Sequence, residues 1–143
     1  MKTVNSIKDL EKEIQKRIAQ AMKSEVAPLS RKVMKEKIEE EVYSVYTPKL
    51  YERRGENGGL LDDENIVTEM IDDSTLKVQN IRSDGDRYVA EIVESGHGYE
   101  YEFEYAGTPR PFTKETAEHF RDTNEHVYAL YKGLKKTGLN VQR

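Results

Sequence analysis

Glu100, Glu102 and Glu104 alternate with Tyr99, Tyr101, Phe103 and Tyr105 in the run GHGYEYEFEYAG, residues 96–107. Carboxylates at every second position of a strand share one face, roughly 6.5–7 Å apart. That spacing falls near the separation of an inverting glycosidase pair, in which one carboxyl protonates the leaving group and the other activates water. Every half-solvated strand offers the same spacing, and the chain has no Trp to stack on a sugar. The strip therefore reads as architecture, with aromatics toward a core and glutamates toward water. A hydrolase acting through Glu102 and its neighbours is the third-ranked reading.

The other reactive residue types offer less. His119, Asp122 and His126 share a helical face, but two histidines seven positions apart need further ligands to hold one ion. His97 sits in a glycine turn. With no cysteine there is no disulfide, thiolate or zinc–sulfur chemistry. GENGG, residues 55–59, follows no strand and lacks the Lys-Ser/Thr of a phosphate loop. The expectation is no enzyme, no metal and no cofactor. Arg53-Arg54 and the C-terminal lysines are modest basic patches, and the acidic middle of the chain should repel phosphates.

A length of 143 residues fits one domain, 1–143. Its 36% hydrophobic and 35% charged residues imply a thin core, which neighbouring subunits commonly complete. The net charge of −4 is unevenly laid out. Residues 1–54 carry thirteen basic and nine acidic groups, residues 55–108 three and fourteen, and residues 109–143 seven and four. Identical copies could pair the acidic part of one with the basic part of the next. MKTVNSIKDLEKEIQKR lacks the apolar stretch of a signal peptide. No run approaches the ~18–20 apolar residues that span a bilayer. A soluble protein made in the cytoplasm is expected, without membrane partners.

These residues need elements to position them. Ile7, Leu10, Ile14, Ile18, Ala21 and Met22, then Leu29, Val33, Met34, Ile38, Val42 and Val45, recur at helical steps. Ser6 suits an N-cap. The spacing drifts too far for coiled-coil heptads. Residues 1–46 are thus helical, kinked near Pro28, and 47–65 form a long loop that carries apolar residues. NIVTEMI, TLKVQNI, RYVAEIVES and YEYEFEY predict about four antiparallel strands over 66–105, the last two joined through Gly96–Gly98. A final helix over 113–137, capped by Thr113 and ended by Gly138, packs on the sheet. Arg110, Pro111 and Phe112 anchor it, since Pro111 fixes the approach and Phe112 has the apolar body for burial. The fold class is α+β.

Three stretches carry a resemblance: VYSVYTPKLYERR at 42–54 with GGLLD at 58–62, the turn at Gly96–Gly98, and RPF at 110–112 opening a helix that ends ALYKGLKKTG at 129–138. Their order resembles tail-completion and head–tail joining (neck) proteins of tailed bacteriophages, over residues ~30–138. GENGGLLDDEN departs from that family's shorter loops. The resemblance implies a structural virion protein, assembled in the host cytoplasm. It would form a homo-oligomeric ring, a hexamer ahead of a dodecamer, at the neck or upper tail end. Its partners would be the head connector and tail tube proteins, with DNA passing through the lumen without sequence-specific binding. The interface candidates are Tyr46, Pro48, Tyr51, Arg53, Arg54, Leu60, Leu61 and Asp62. The alternative is an acidic DNA mimic that inhibits a host or phage nucleic-acid enzyme.

Overall fold

The computed structural model describes residues 5–48 and 53–139. Helix α1 (Ile7–Ala21) opens at Ser6, whose hydroxyl accepts a hydrogen bond from the Asp9 amide at 3.1 Å. A π-helical turn, Met22–Val26, leads without a break into α2 (Ala27–Ile38). Pro28 lacks an amide and its ring would crowd the carbonyl four residues back. The widened turn accommodates it, with the Ala27 amide reaching the Met22 carbonyl. A second π turn, Glu39–Tyr43, closes the helical stretch.

Strands β1 (Ile66–Asp72) and β2 (Thr75–Asn80) pair antiparallel, with Ile66 opposite Asn80 and a register irregularity between Met70 and Asp72. The sheet has these two strands among the described residues, which corrects the expectation of about four. RYVAEIVES instead supplies helix α3 (Val89–Ser95), burying Ala90 and Val93 at a helical step of three. Gly96, at φ 82°, ends it by donating its amide to the Ile92 carbonyl at 2.8 Å. This is the left-handed stop that glycine makes cheaply. YEYEFEY therefore has no partner strand and runs as a loop, and Gly96–Gly98 is no hairpin turn.

The single closing helix is also corrected. Asn124, at φ 56°, divides it into α4 (Phe112–Thr123) and α5 (Glu125–Lys136). A short polar side chain makes that left-handed conformation tolerable. The two halves then turn to different partners: α4 packs on α2, and α5 on α1 and the first π turn. It is α2 that lies against the hairpin. The α1–α5 crossing is close enough that a Cβ on Gly133 would come within 2.7 Å of that of Ala21.

The core joins Met34, Ile38 and Val42 to Leu60, Leu61, Ile66, Ala90, Val93 and Phe112. Side-chain amides hold the glycine-rich loop onto it. Asn65 Nδ2 donates to the Gly58 and Gly59 carbonyls, and buried Asn80 donates to that of Leu60 at 2.9 Å. Such bonds let Leu60 and Leu61 be buried without stranding the polar backbone around them.

The cap of α4 comes from another element. Pro111 occupies the N-cap position, and the Glu94 carboxylate of α3 accepts from the Thr113 amide at 2.9 Å and the Lys114 amide at 3.1 Å. A negative charge on these free amides also suits the helix dipole. Glu94→Ala is expected to lower the unfolding free energy by about 1 kcal/mol, and Thr113→Ala by clearly less, in parallel urea titrations.

Candidate functional site

Arg53 follows the helical stretch by ten residues and folds back over its end. Its Nη1 donates to the Tyr43 carbonyl at 2.9 Å, and its Nη2 donates to those of Val42 and Tyr46. The guanidinium lies 4.6 Å from the Tyr43 ring centre. Helix ends leave carbonyls without intrahelical partners, and this one cation serves three. Burial pushes the Tyr43 hydroxyl above the usual phenol range, against the opposing pull of the Arg53 charge.

A second arginine organises the aromatic run. Arg110 is 5% exposed and donates from Nη2 to the Tyr99 hydroxyl at 2.8 Å. Its guanidinium faces the rings of Tyr105, at 5.0 Å, and Phe103, at 5.8 Å. Phe103 is the hub, with ring centres of Tyr99 at 4.6 Å, Tyr46 at 5.2 Å and Tyr101 at 5.3 Å. The alternation at 99–105 thus keeps part of its meaning without a strand. Tyr99, Phe103 and Tyr105 turn inward, and Glu100, Glu102 and Glu104 stay exposed. The buried Nε of Arg110 has no hydrogen-bond partner.

These two arginines share a cleft of about 450 Å³ with Arg54, Arg82 and Arg87. Five of the chain's nine arginines therefore converge on one place. Tyr43, Tyr99 and Tyr101 also line it, over an apolar floor that includes Val42, Leu60, Ile92 and Val93. Asp84 is the one acidic residue in the lining among the described residues. It pairs backbone to backbone with Arg87 across a tight turn, at 2.9 and 3.1 Å. Arg87 Nε lies 3.7 Å from Glu100 Oε1, and Arg82 Nη1 donates to the Ser83 carbonyl. Planar guanidiniums beside phenols are suited to binding oxyanions.

The sequence candidates fall unevenly on this geometry. Arg53, Arg54 and Leu60 line the cleft, and Tyr46 packs behind it on Phe103 and Tyr105. Leu60 and Leu61 are buried in the core. Asp62 serves its own loop, accepting from the amides of Gly58 at 2.7 Å and Glu64 at 2.9 Å. Pro48 is half-buried, and Tyr51 lies outside the described residues. Phe112 is core and Pro111 precedes it at the helix start. His119 Nε2 sits 3.0 Å from Glu125 Oε2, and the described residues include no group of three or more His, Asp or Glu side chains that could hold a metal. Sequence reading missed Arg82 and Arg87. Their signal was present: two of only three cations in the acidic middle are arginines flanking the turn SDGD.

The family model of YomN matches residues 6–136, nearly the whole of this architecture. The chain belongs to the YomN family. A YomN relative, the SPbeta prophage-derived uncharacterized protein YomN of Bacillus subtilis (strain 168), is 35% identical over 143 residues, 98% of either chain. No solved structure matches the chain. None of the described helices is long and apolar enough to cross a membrane.

Proposed function

We propose that this YomN-family chain is a structural, non-catalytic phage protein of the neck. Copies form a ring at the neck or upper tail end, a hexamer ahead of a dodecamer. The ring joins the tail tube to the head connector and surrounds the DNA channel. The prophage origin of the relative supports the phage setting. The observation that carries the oligomer is the start of α1. Residues 5–12 are all exposed, and Ile7, Leu10 and Ile14 along this stretch are 77%, 44% and 37% exposed. They share one helical face at steps of three and four. Most helical stability comes from packing an apolar face, so a helix start with its face uncovered is suited to a neighbouring copy. Contacts between unlike surfaces of identical subunits close into a ring when the rotation permits. The acidic middle and basic ends of the sequence would add attraction between such surfaces.

The test is deletion of the relative's gene from the SPbeta prophage, with and without this chain supplied from a plasmid. Electron microscopy of the induced lysates should show DNA-filled heads separate from free tails, or heads that have lost their DNA. This chain should restore joined particles. Intact, infectious virions from the deletion strain would overturn the neck assignment and bring the acidic inhibitor reading forward.

A further inference from the structure

We infer that the arginine cleft is a binding site for a phosphate-rich anion that carries an aromatic ring. A nucleoside di- or triphosphate and the phosphorylated end of a nucleic-acid strand both supply that chemistry. The inference is independent of the neck reading, because it concerns one subunit and its own lining.

Four observations carry it. First, among the described residues the cations that line the cleft are all arginines. Arginine offers paired donors in a fixed plane, matched to phosphate and carboxylate oxygens. Second, among the described residues the five arginines share the lining with one acidic residue, Asp84. Arg87 also pairs with Glu100 at 3.7 Å, so five positive charges meet two carboxylates. Gathering like charges is unfavourable unless a counter-charge offsets it. Arg53 is tied to the helix end, Arg54 is exposed, and Arg82 and Arg87 are half-buried. Arg110 is nine-tenths buried and keeps a partnerless Nε beside its bond to Tyr99.

Third, the wall includes Tyr99 and Tyr101, and base–aromatic stacking tolerates any base. Fourth, about 450 Å³ is the size of a small-ligand site. A peptide brings carboxylates one per residue, spread along its backbone, and a cleft of this size would admit few of them. A di- or triphosphate concentrates several charges in the same space. The acidic middle of the chain would therefore not exclude phosphates, because folding brings its arginines together and leaves Glu102 and Glu104 pointing to solvent.

Isothermal titration of the full chain at low salt tests this with inorganic phosphate, tripolyphosphate, adenosine triphosphate, single-stranded DNA decamers with and without a 5′-phosphate, and a glutamate-rich decapeptide. Adenosine triphosphate or the 5′-phosphorylated decamer should bind more tightly than inorganic phosphate. Tighter binding of the nucleotide than of either decamer identifies a free-nucleotide site. Strong preference for the phosphorylated decamer identifies a strand end. Arg54→Gln with Arg87→Gln should weaken the tighter ligand by about tenfold or more, the scale of one lost charge-assisted bond. Both side chains lie outside the core, and circular dichroism checks the fold. Should the double variant misfold, Arg54→Gln alone takes its place, since that side chain is exposed. Arg121→Gln, exposed on α4, should change nothing.

Tyr101→Leu should bring adenosine triphosphate down to the level of tripolyphosphate; no change would remove the ring from the proposal. The site is overturned if no phosphate-bearing probe binds the folded wild type, if Arg54→Gln and Arg87→Gln leave binding intact, or if the acidic peptide alone binds.

Discussion

Phe112→Ala is expected to remove about 3–5 kcal/mol of unfolding free energy, the largest loss for a single side-chain truncation in this chain. Phe112 is 1% exposed and is the bulkiest of the fully buried side chains among the described residues. It belongs to the cluster in which α2 residues Met34 and Ile38 meet Ile66 of β1 and Val93 of α3. A cavity there would border four elements at once, and each could close in only by giving up contacts with the others. A domain of this size has roughly 5–15 kcal/mol in total. In so thin a core the loss is a large fraction of stability, so the variant should unfold at much lower urea. Phe112→Leu keeps most of the apolar volume and should recover more than half of the loss. The damage should also reach the cleft, because Arg110 lies two residues upstream and its carbonyl accepts from the Phe112 amide at 2.9 Å. An Ala variant losing less than about 1 kcal/mol would mean that this residue is not at the centre of the core.

Phe112 was legible because an aromatic after Arg-Pro, before a helical pattern, has few other places to go. The helical stretch and its Ser6 cap were legible for similar reasons: local spacing and local capping decide them. The middle of the chain was not. In RYVAEIVES, Val89, Ile92 and Val93 satisfy a strand composition and a helical step equally well, a known ambiguity of short apolar runs. Tertiary packing resolves it, since Ala90 and Val93 reach the core together only on a helix. The alternation of YEYEFEY reported which side chains turn inward but not that a ladder exists. A ladder needs an adjacent strand, and that strand had become α3. The split at Asn124 was hidden because the apolar face runs through it, and only the left-handed backbone of that residue redirects the chain. The cleft was least legible of all. Its arginines come from positions 53 to 110 and meet only after loops have folded, so the acidic average of the middle segment concealed a local positive site.

Gly96→Ala should be nearly as damaging as the loss of Phe112, through the backbone instead of the core. Gly96 is buried at φ 82°, where a side chain costs roughly 1–2 kcal/mol. An added Cβ would also stand 2.5 Å from the Thr108 carbonyl carbon, 2.6 Å from its oxygen and 2.7 Å from its nitrogen. These are backbone atoms, so no rotamer change relieves the contact. The chain leaves α3 at this point and returns to it, with the Gly107 amide donating to the Gly96 carbonyl at 2.7 Å. The loop between carries four of the five aromatics of the cluster, Tyr46 being the fifth. A total cost of about 2–4 kcal/mol is expected in urea denaturation. Gly107→Ala supplies the comparison: its φ of 84° is equally left-handed, but nothing lies within 4 Å of a Cβ there. It should therefore show the conformational cost alone. The two variants also differ at the site. Forcing the loop open at Gly96 should separate Tyr99 from Arg110 and alter the near-ultraviolet tyrosine signal, while the far-ultraviolet helical signal of α1 and α5 persists. Equal losses for Gly96→Ala and Gly107→Ala would mean that the close approach to Thr108 does not hold the loop.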